Sequence, residues 1–193
     1  MSRACGVALD FRVRRLTPGA FSEWENAKTI LMHTPGEEIF LGVAYPEPAL
    51  YDVTFDMDKA ASEHRAYIES LKEQGISVLT VTDVLSNSNR QDLIDLARKS
   101  SSVRYSRLNT ADENEQRQCF EKNLSSLPTS TLVRIITQRP TFRLSYAVKP
   151  SARNHQLPEC KKYYIKADYG TDPVMNLYFT RDQMITTARG VVC

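Results

Sequence analysis

One short segment near the carboxyl end of the sequence concentrates side chains that can do chemistry. Residues 176–182 read Asn-Leu-Tyr-Phe-Thr-Arg-Asp. The segment combines an amide and a carboxylate for hydrogen bonding, a cation for charge pairing and two aromatic rings for packing against a ligand. Such a density of functional groups indicates a binding or catalytic site. A purely structural interpretation stays open, with Leu177 and Phe179 in the core and Arg181 and Asp182 as an exposed pair at a strand end.

Several common kinds of active site are missing from the sequence. It contains no glycine-rich phosphate loop, no dinucleotide-binding glycine fingerprint, no His-Glu-x-x-His and no Gly-x-Ser-x-Gly. Nucleotide-binding, zinc-dependent and serine-hydrolase functions therefore lose most of their support. His33 and His64 are predicted to be hydrogen-bonded packing histidines rather than catalytic ones, and His155 lies in a polar, solvated stretch.

Composition limits the class of protein. The 193 residues are 41% apolar, which is enough for one domain with a real core, and the net charge is only +2. Positive and negative residues are interspersed, so we expect no nucleic-acid or membrane partner. No apolar run approaches the roughly 18 residues of a membrane span. The arginine-bearing first 22 residues faintly resemble an organelle transit peptide.

The cysteines point to a reducing compartment. The four cysteines are Cys5, Cys119, Cys160 and Cys193, and none forms a Cys-x-x-Cys pair or has a histidine at ligand spacing. Isolated thiols in a chain with an adequate core argue against a disulfide framework. We therefore predict a cytoplasmic protein, and Cys193 is a poor candidate for a nucleophile.

The first half of the chain predicts a strand, a loop, a helix and a second strand. An apolar run at 28–33 ends at Pro35 and Gly36, and residues 37–55 show no helical period and are predicted to be a loop. Residues 56–74 predict an amphipathic helix, with Asp56 as its cap and Gly75 at its end. Residues 76–81 alternate as a strand.

The second half predicts mainly helices. Helices are expected at 90–99, at 110–127 with a capping box that begins at Thr110, and at 130–138, where a strand over 132–136 stays open. The apolar face of the second helix would carry Cys119, Phe120 and Leu124. Residues 140–172 are predicted to be mostly loop, with 162–167 extended, and the last strands are expected at 176–180 and about 184–187.

Taken together, several of these motifs resemble a known enzyme family. Glu23-Trp24, residues 29–39, residues 73–79 and residues 176–182 are similar in order and spacing to the amino-terminal part of arginine deiminase, a member of the guanidino-group-modifying superfamily. The resemblance runs from about Trp24 to the end, and its middle is matched only in helical character. The helical middle favours the deiminase over dimethylarginine hydrolases and amidinotransferases.

The resemblance implies an α/β fold, namely part of a pentein-type α/β propeller. In that fold, ββαβ units surround a pseudo-fivefold axis and the substrate lies in a central channel. The expected division is an amino-terminal extension at 1–23, a first ββαβ unit at 24–85 and a helical insertion at 86–139. Residues 140–193 would be a loop and the start of the second propeller unit.

The resemblance also implies an activity and a set of site residues. The family hydrolyses L-arginine to L-citrulline and ammonia without a metal or cofactor. By position, Asp182 is similar to a catalytic carboxylate that grips the guanidinium through paired hydrogen bonds. Phe179 would lie against the flat part of the substrate, and Asn176 would hydrogen-bond its amino-acid end. Leu41, in the predicted loop after Gly36, would line the same pocket.

What the sequence does not contain limits this expectation. In the family, the catalytic cysteine and histidine lie in a part of a longer chain that would follow residue 193, so this chain as written is expected to be an inactive, truncated form. Two alternatives stay open. The chain is a non-catalytic remnant that acts as a binding or interaction module, or it is a fragment of a sister guanidine hydrolase such as agmatine deiminase. Exposed strand edges predict association with a second copy or another chain.

Overall fold

The computed structural model describes residues 22, 24–148, 163–177, 179, 180, 185–187 and 190–192. Its first part is built around two short parallel strands, β1 and β2. The elements of this part are β1 (Thr29–Met32), α1 (Phe40–Ala44), α2 (Met57–Glu73) and β2 (Ser77–Thr80). The strands pair in register from Thr29 with Ser77 to Met32 with Thr80. The predicted strand, helix and strand are therefore confirmed.

Local signals at the ends of α2 behave as the sequence predicts. The Asp56 side chain accepts a hydrogen bond from the Lys59 backbone N–H at 2.9 Å, which satisfies one of the free donors of the first turn. Gly75 has a φ of 80°, in the left-handed region that ends many helices. Both capping predictions are confirmed.

The predicted loop at 37–55 is wrong. It contains a 3-10 turn at Glu37–Ile39, the helix α1 and a second 3-10 turn at Glu47–Ala49. Leu41 consequently lies in α1 and not in a loop. The prolines that suggested irregular structure are compatible with a helical turn, because Pro48 lies at its start, where a missing N–H breaks no hydrogen bond.

The middle of the chain carries most of the buried core. Its elements are α3 (Val81–Ser86), α4 (Arg90–Ser100), β3 (Ser102–Ser106), α5 (Thr110–Ser126) and α6 (Thr129–Gln138). The buried cluster consists of Leu93, Ile94, Ala97, Leu124, Leu132 and Val133. Residues 130–138 are therefore helical, which resolves the alternative of a strand.

Three details of this middle region differ from the sequence prediction. The strand β3 interrupts the range predicted to be helical. Asn109 and not Thr110 caps α5, since its side chain accepts from the Asp112 N–H at 2.8 Å. Asparagine is at least as good a cap as threonine, and it stands one residue earlier. Cys119, expected on the apolar face, is exposed.

The prediction that residues 140–172 are mostly loop is wrong, because most of the described ones form a pair of long strands. The extended piece predicted at 162–167 is confirmed over 163–167. β4 (Pro140–Val148) pairs antiparallel with β5 (Tyr163–Thr171), and β3 pairs parallel with β4. Pro140 is tolerated as the first residue of its strand. Cross-strand partners Phe142 and Tyr169 place their ring centroids 5.8 Å apart, an edge-to-face contact that stabilises the pairing.

The last described strands are β6 (Ile185–Thr187) and β7 (Gly190–Val192), which pair antiparallel. The expected strand at 184–187 is confirmed within one residue, and β7 was not predicted. The described residues thus form a mixed α/β structure with two two-stranded sheets and one three-stranded sheet. Over these residues, no helix is long and apolar enough to span a membrane.

Candidate functional site

Residues 172–177, 179 and 180 follow β5 and are called the turn segment below. They form turns and not the strand predicted at 176–180. Its backbone donates inside the segment, from Leu177 N to Val174 O at 3.2 Å and from Phe179 N to Asn176 O at 3.1 Å. Pro173 and Asn176 explain the turns, since proline fixes φ and asparagine favours turn conformations. The apolar residues Leu177 and Phe179 alternate as they would in a strand, but the backbone forms turns.

This turn segment is held against α6 at its beginning. Asp172 N donates to Arg139 O at 3.3 Å, and Val174 N donates to Thr137 O at 2.9 Å. Pro173 between them is buried. The carboxyl end of α6 therefore fixes where the turn segment starts.

Two side-chain hydrogen bonds hold the turn segment against the first part of the fold. The Thr180 hydroxyl donates to Leu31 O in β1 at 3.0 Å, and the Tyr51 hydroxyl donates to Met175 O at 3.1 Å. Each bond joins residues more than a hundred positions apart in the chain. The position of Asn176 and Phe179 is therefore set by β1 and by the residues around Tyr51.

A close approach at Gly42 brings α1 against the same segment. A Cβ at this position would lie 2.7 Å from Tyr51 Cε2, 2.9 Å from Ala49 Cβ and 3.1 Å from Met175 Sδ. Distances below about 3 Å are steric clashes, so only glycine allows this packing. The absence of a side chain at Gly42 therefore allows α1, Tyr51 and Met175 to pack together.

We expect Gly42→Ala to lower the free energy of unfolding by about 2 kcal/mol, the typical cost of overpacking. The new methyl group would push the Tyr51 ring and Met175 away, which also strains the Tyr51 to Met175 hydrogen bond. Urea unfolding measures the loss. Gly170→Ala is the matched control, because the nearest atom to its Cβ is 3.9 Å away. Equal effects at both glycines would contradict the close packing at Gly42.

The structure describes three of the four predicted site residues. Asn176 is half-buried in the turn segment, Phe179 is 46% exposed and Leu41 is 41% exposed on α1. The contact between Gly42 and Met175 brings the elements that carry Leu41 and Asn176 together. Asp182 lies outside the described residues, as do Arg181, His155 and three of the cysteines, Cys5, Cys160 and Cys193.

Sequence reasoning missed the residues that position this segment. Gly42 and Tyr51 have no chemical signature of their own, and both lie in the range that its prolines suggested to be loop. One signal was present for Gly42. An isolated glycine in the apolar run 39–44 is a poor helix former, and it often marks a place where another group approaches the backbone.

A buried pair, His33 and Glu38, follows β1. His33 Nε2–H donates to Glu38 Oε1 at 3.0 Å, and the Gly36 backbone N–H donates to the same oxygen at 2.7 Å. Both residues are under 5% exposed. Burial by itself raises the pKa of the Glu38 carboxyl, but these hydrogen bonds and the proximity of His33 outweigh it, so the pKa is lowered. The prediction that His33 is a hydrogen-bonded packing histidine is confirmed.

His64 on α2 lies within electrostatic reach of this pair. Its pKa is lowered, first because burial disfavours the charged imidazolium and second because His33 lies nearby. The lowered pKa favours the neutral imidazole of His64. Among the described residues, no group of three or more potential ligands is arranged to hold a metal ion.

The lowered pKa of Glu38 predicts a loss of stability in acid. The folded-state pKa lies below the ordinary value of 4.5, so the stabilisation is fully present above that value and is lost as the pH falls through the folded pKa. We expect the melting temperature to fall between about pH 5 and about pH 2. Glu38→Gln removes the titrating group, so its melting temperature should fall less over this interval. Parallel curves for the two proteins would contradict the prediction.

These features define a mixed α/β protein with a candidate small-molecule site where a turn segment rich in functional groups meets the first strand and helix. A family model described as arginine deiminase matches residues 48–193, well over half of the chain. The chain therefore belongs to the arginine deiminase family.

Curated relatives agree with this assignment. The chain is 26% identical over 173 residues to arginine deiminase of Metamycoplasma hominis, which covers 89% of this chain and 38% of the relative. It is 27% identical over 183 residues to the enzyme of Streptococcus agalactiae serotype Ia, and 29% identical over 182 residues to that of Streptococcus pyogenes serotype M49; each match covers 89% of this chain and 40% of the relative. The chain spans about two fifths of the length of these relatives.

Proposed function

We propose that this chain forms the guanidinium-binding part of an arginine deiminase site. Family membership makes L-arginine or a close guanidino compound the expected ligand. The observation that carries the proposal is the anchoring of the turn segment. Thr180 and Met175 tie the residues that resemble the family's substrate contacts to β1 and to Tyr51.

In this proposal, Asp182 holds the guanidinium with two parallel charge-assisted hydrogen bonds, which fixes the plane of the cation. Phe179, which is 46% exposed, offers a face for the flat or aliphatic part of the ligand and keeps water away. Asn176 hydrogen-bonds the amino-acid end. Leu41 adds an apolar wall from α1. No cofactor takes part.

The fold proposal is that the chain is part of a pentein-type propeller. Residues 24–85 would be its first unit and 86–139 an insertion, with an amino-terminal extension at 1–23 and the start of the second unit within 140–193. The parallel pairing of β1 and β2 with α2 between them supports the first of these assignments. The strand β3 modifies the second, since the proposed insertion would share a sheet with β4.

Titration calorimetry of L-arginine into the purified chain tests the site. We expect measurable binding, and at least about tenfold weaker binding for Asp182→Asn, since a charge-assisted pair contributes more than a neutral one. Asp172→Asn is the matched control, because Asp172 pairs with Arg139 at 3.6 Å on the surface. Unchanged binding in Asp182→Asn would contradict the proposed role of Asp182 in holding the guanidinium. Tighter binding of agmatine than of arginine would favour the sister hydrolase.

Turnover is a separate expectation. Hydrolysis by the family route needs a cysteine nucleophile and a catalytic histidine. The matched motifs in this sequence contain no cysteine, and their one histidine, His33, is buried against Glu38. We therefore expect no citrulline from the purified 193-residue polypeptide. Citrulline formed by a mass-verified sample would overturn this. Failure to bind arginine at all would favour the alternative of an interaction module, for which size-exclusion chromatography would show association.

A further inference from the structure

The strand β5 lies at an edge of the three-stranded sheet, and among the described residues no strand lies along its outer side. The strands are ordered β3, β4 and β5, and in this part of the chain β5 pairs only with β4. The sequence of β5 contains no proline, and its pairing with β4 runs from end to end without a bulge. A long, regular edge of this kind is a template for a further strand.

The pairing of β5 with β4 determines which backbone groups face the outer edge. In an antiparallel pair, residues that exchange hydrogen bonds with the neighbouring strand alternate with residues that do not. Asp172 N donates to Arg139 O at 3.3 Å, directly before the pair of Pro140 with Thr171, where proline has no N–H to donate. By alternation, the even-numbered residues of β5 bond to β4. The odd-numbered residues present their N–H and C=O groups to the outer edge: Tyr163, Ile165, Ala167, Tyr169 and Thr171.

The side chains of β5 alternate between an apolar and a polar face of the sheet. Tyr169 is the cross-strand partner of Phe142, whose ring also contacts Phe120 of α5 at 5.8 Å between centroids, so this face is the one that α5 covers. Tyr169 itself is 77% exposed. On the opposite face, Lys166 and Asp168 form an exposed ion pair at 2.6 Å. The edge therefore offers apolar surface on one face and one charge of each sign on the other.

We propose that two copies of this chain pair through β5, antiparallel to each other and about a two-fold axis at Ala167. This pairing places Lys166 of each copy opposite Asp168 of the other, and Ile165 opposite Tyr169. Its hydrogen-bonded pairs are formed by the odd-numbered residues, whose backbone groups face outward. Apolar side chains meet on one face of the sheet, and opposite charges meet on the other.

The charges select this register over its neighbours. A two-fold register must pair the odd-numbered residues with one another, so the nearest alternatives are centred at Lys166 or at Asp168. The first sets two lysines opposite each other and the second sets two aspartates opposite each other, which destabilises a sheet, whereas opposite charges stabilise it. Registers further away leave more of the outward N–H and C=O groups unpaired. Pairing centred at Ala167 is the register that satisfies both the charges and the backbone.

The paired copies would share one continuous sheet, in the order β3, β4, β5, β5, β4, β3. A two-fold contact uses the same surface on both copies and is closed, so the association ends at the dimer. No residue of β5 belongs to the proposed arginine site. The inference therefore goes beyond that site and is tested independently of it.

Light scattering after size-exclusion chromatography, over a wide range of loading concentrations, tests the association. We expect the mass of the purified chain to rise from 21.9 kDa at low concentration toward twice that value. A mass of 21.9 kDa at every concentration would overturn the proposal. A mass that continues to rise beyond the dimer would overturn it as well, because a two-fold contact is closed.

Two charge reversals test the register. Lys166→Asp and Asp168→Lys each set like charges opposite each other on both sides of the axis, so we expect each variant alone to dimerise at least about tenfold more weakly. An equimolar mixture of the two variants brings opposite charges together again and should dimerise as the unaltered chain does. Mixing would not repair a folding defect, and circular dichroism of each variant checks its fold directly.

Two further variants complete the test. The chain that carries both Lys166→Asp and Asp168→Lys keeps opposite charges face to face and should dimerise as the unaltered chain does. Lys72→Asp makes the same charge change in an exposed ion pair with Glu69 on α2 and should leave dimerisation unchanged. Single β5 variants that dimerise as well as Lys72→Asp, or a mixture of them that stays monomeric, would overturn the proposed register.

Discussion

Leu132→Ala should lower the free energy of unfolding by about 3 kcal/mol, the usual result of opening a cavity in a packed core. Leu132 on α6 is 0% exposed and packs in the cluster that joins α4, α5 and α6. Thr137 in the same helix and Arg139, its C-cap residue, carry the backbone carbonyls that hold the turn segment. Loss of core packing is therefore expected to loosen the start of the candidate site as well.

Denaturant unfolding measures this effect, and Leu96→Ala is its matched control. Leu96 lies on α4 at 40% exposure, so the same deletion should cost less than about 1 kcal/mol. Similar losses in the two variants would show that the α4, α5 and α6 cluster is not the main core. Hydrogen exchange at Val174 N–H, which donates to Thr137 O, would report whether the turn segment loosens with α6.

Glu38→Ala should lower the free energy of unfolding by about 3 kcal/mol, as Leu132→Ala does, but because hydrogen bonds are lost. The Glu38 carboxylate accepts from both His33 Nε2–H and the Gly36 N–H, and removing it leaves one buried and one half-buried donor without their acceptor. Each such donor costs about 1–3 kcal/mol. The effect on the loop after β1 should therefore exceed that of an ordinary surface change.

The neighbouring glutamate supplies the control for this prediction. Glu37 forms an ion pair with Arg134 at 2.7 Å, but both side chains are about two-thirds exposed, so Glu37→Ala should cost at most about 1 kcal/mol. Thermal and urea unfolding of the two variants at neutral pH measure the difference. A Glu37→Ala variant as unstable as Glu38→Ala would mean that the buried hydrogen bonds contribute little.

Local signals in the sequence predicted part of this fold well. Asp56, Gly75 and the apolar period between them predicted α2 because capping and amphipathicity are decided within a few residues. The same local reasoning fails at 37–55, because prolines suggest breaks but are tolerated in short helical turns. It also missed β4 and predicted only the first part of β5. The pairing of these strands, from Pro140 with Thr171 to Val148 with Tyr163, depends on contacts between distant residues.

The candidate site was likewise predictable only where local signals decide the structure. Side-chain types drew attention to residues 176–182, but the turn geometry and the roles of Gly42 and Tyr51 depend on packing that no local pattern encodes. Only one member of the His33 and Glu38 pair could be predicted from the sequence. A packing histidine was expected there, whereas its buried carboxylate partner five residues later had no distinguishing feature.

The hydrogen bonds that anchor the turn segment also bear on the order of folding. Thr180 meets Leu31 across 149 positions and Tyr51 meets Met175 across 124, so each contact closes a very long loop. Closing such loops costs entropy that local helices do not lose, and contacts of this range form slowly. During refolding, helices such as α2 and α5 should appear first, and the arrangement of Asn176 and Phe179 beside β1 should be among the last to form. A newly made chain would then form these helices before the proposed ligand site takes shape.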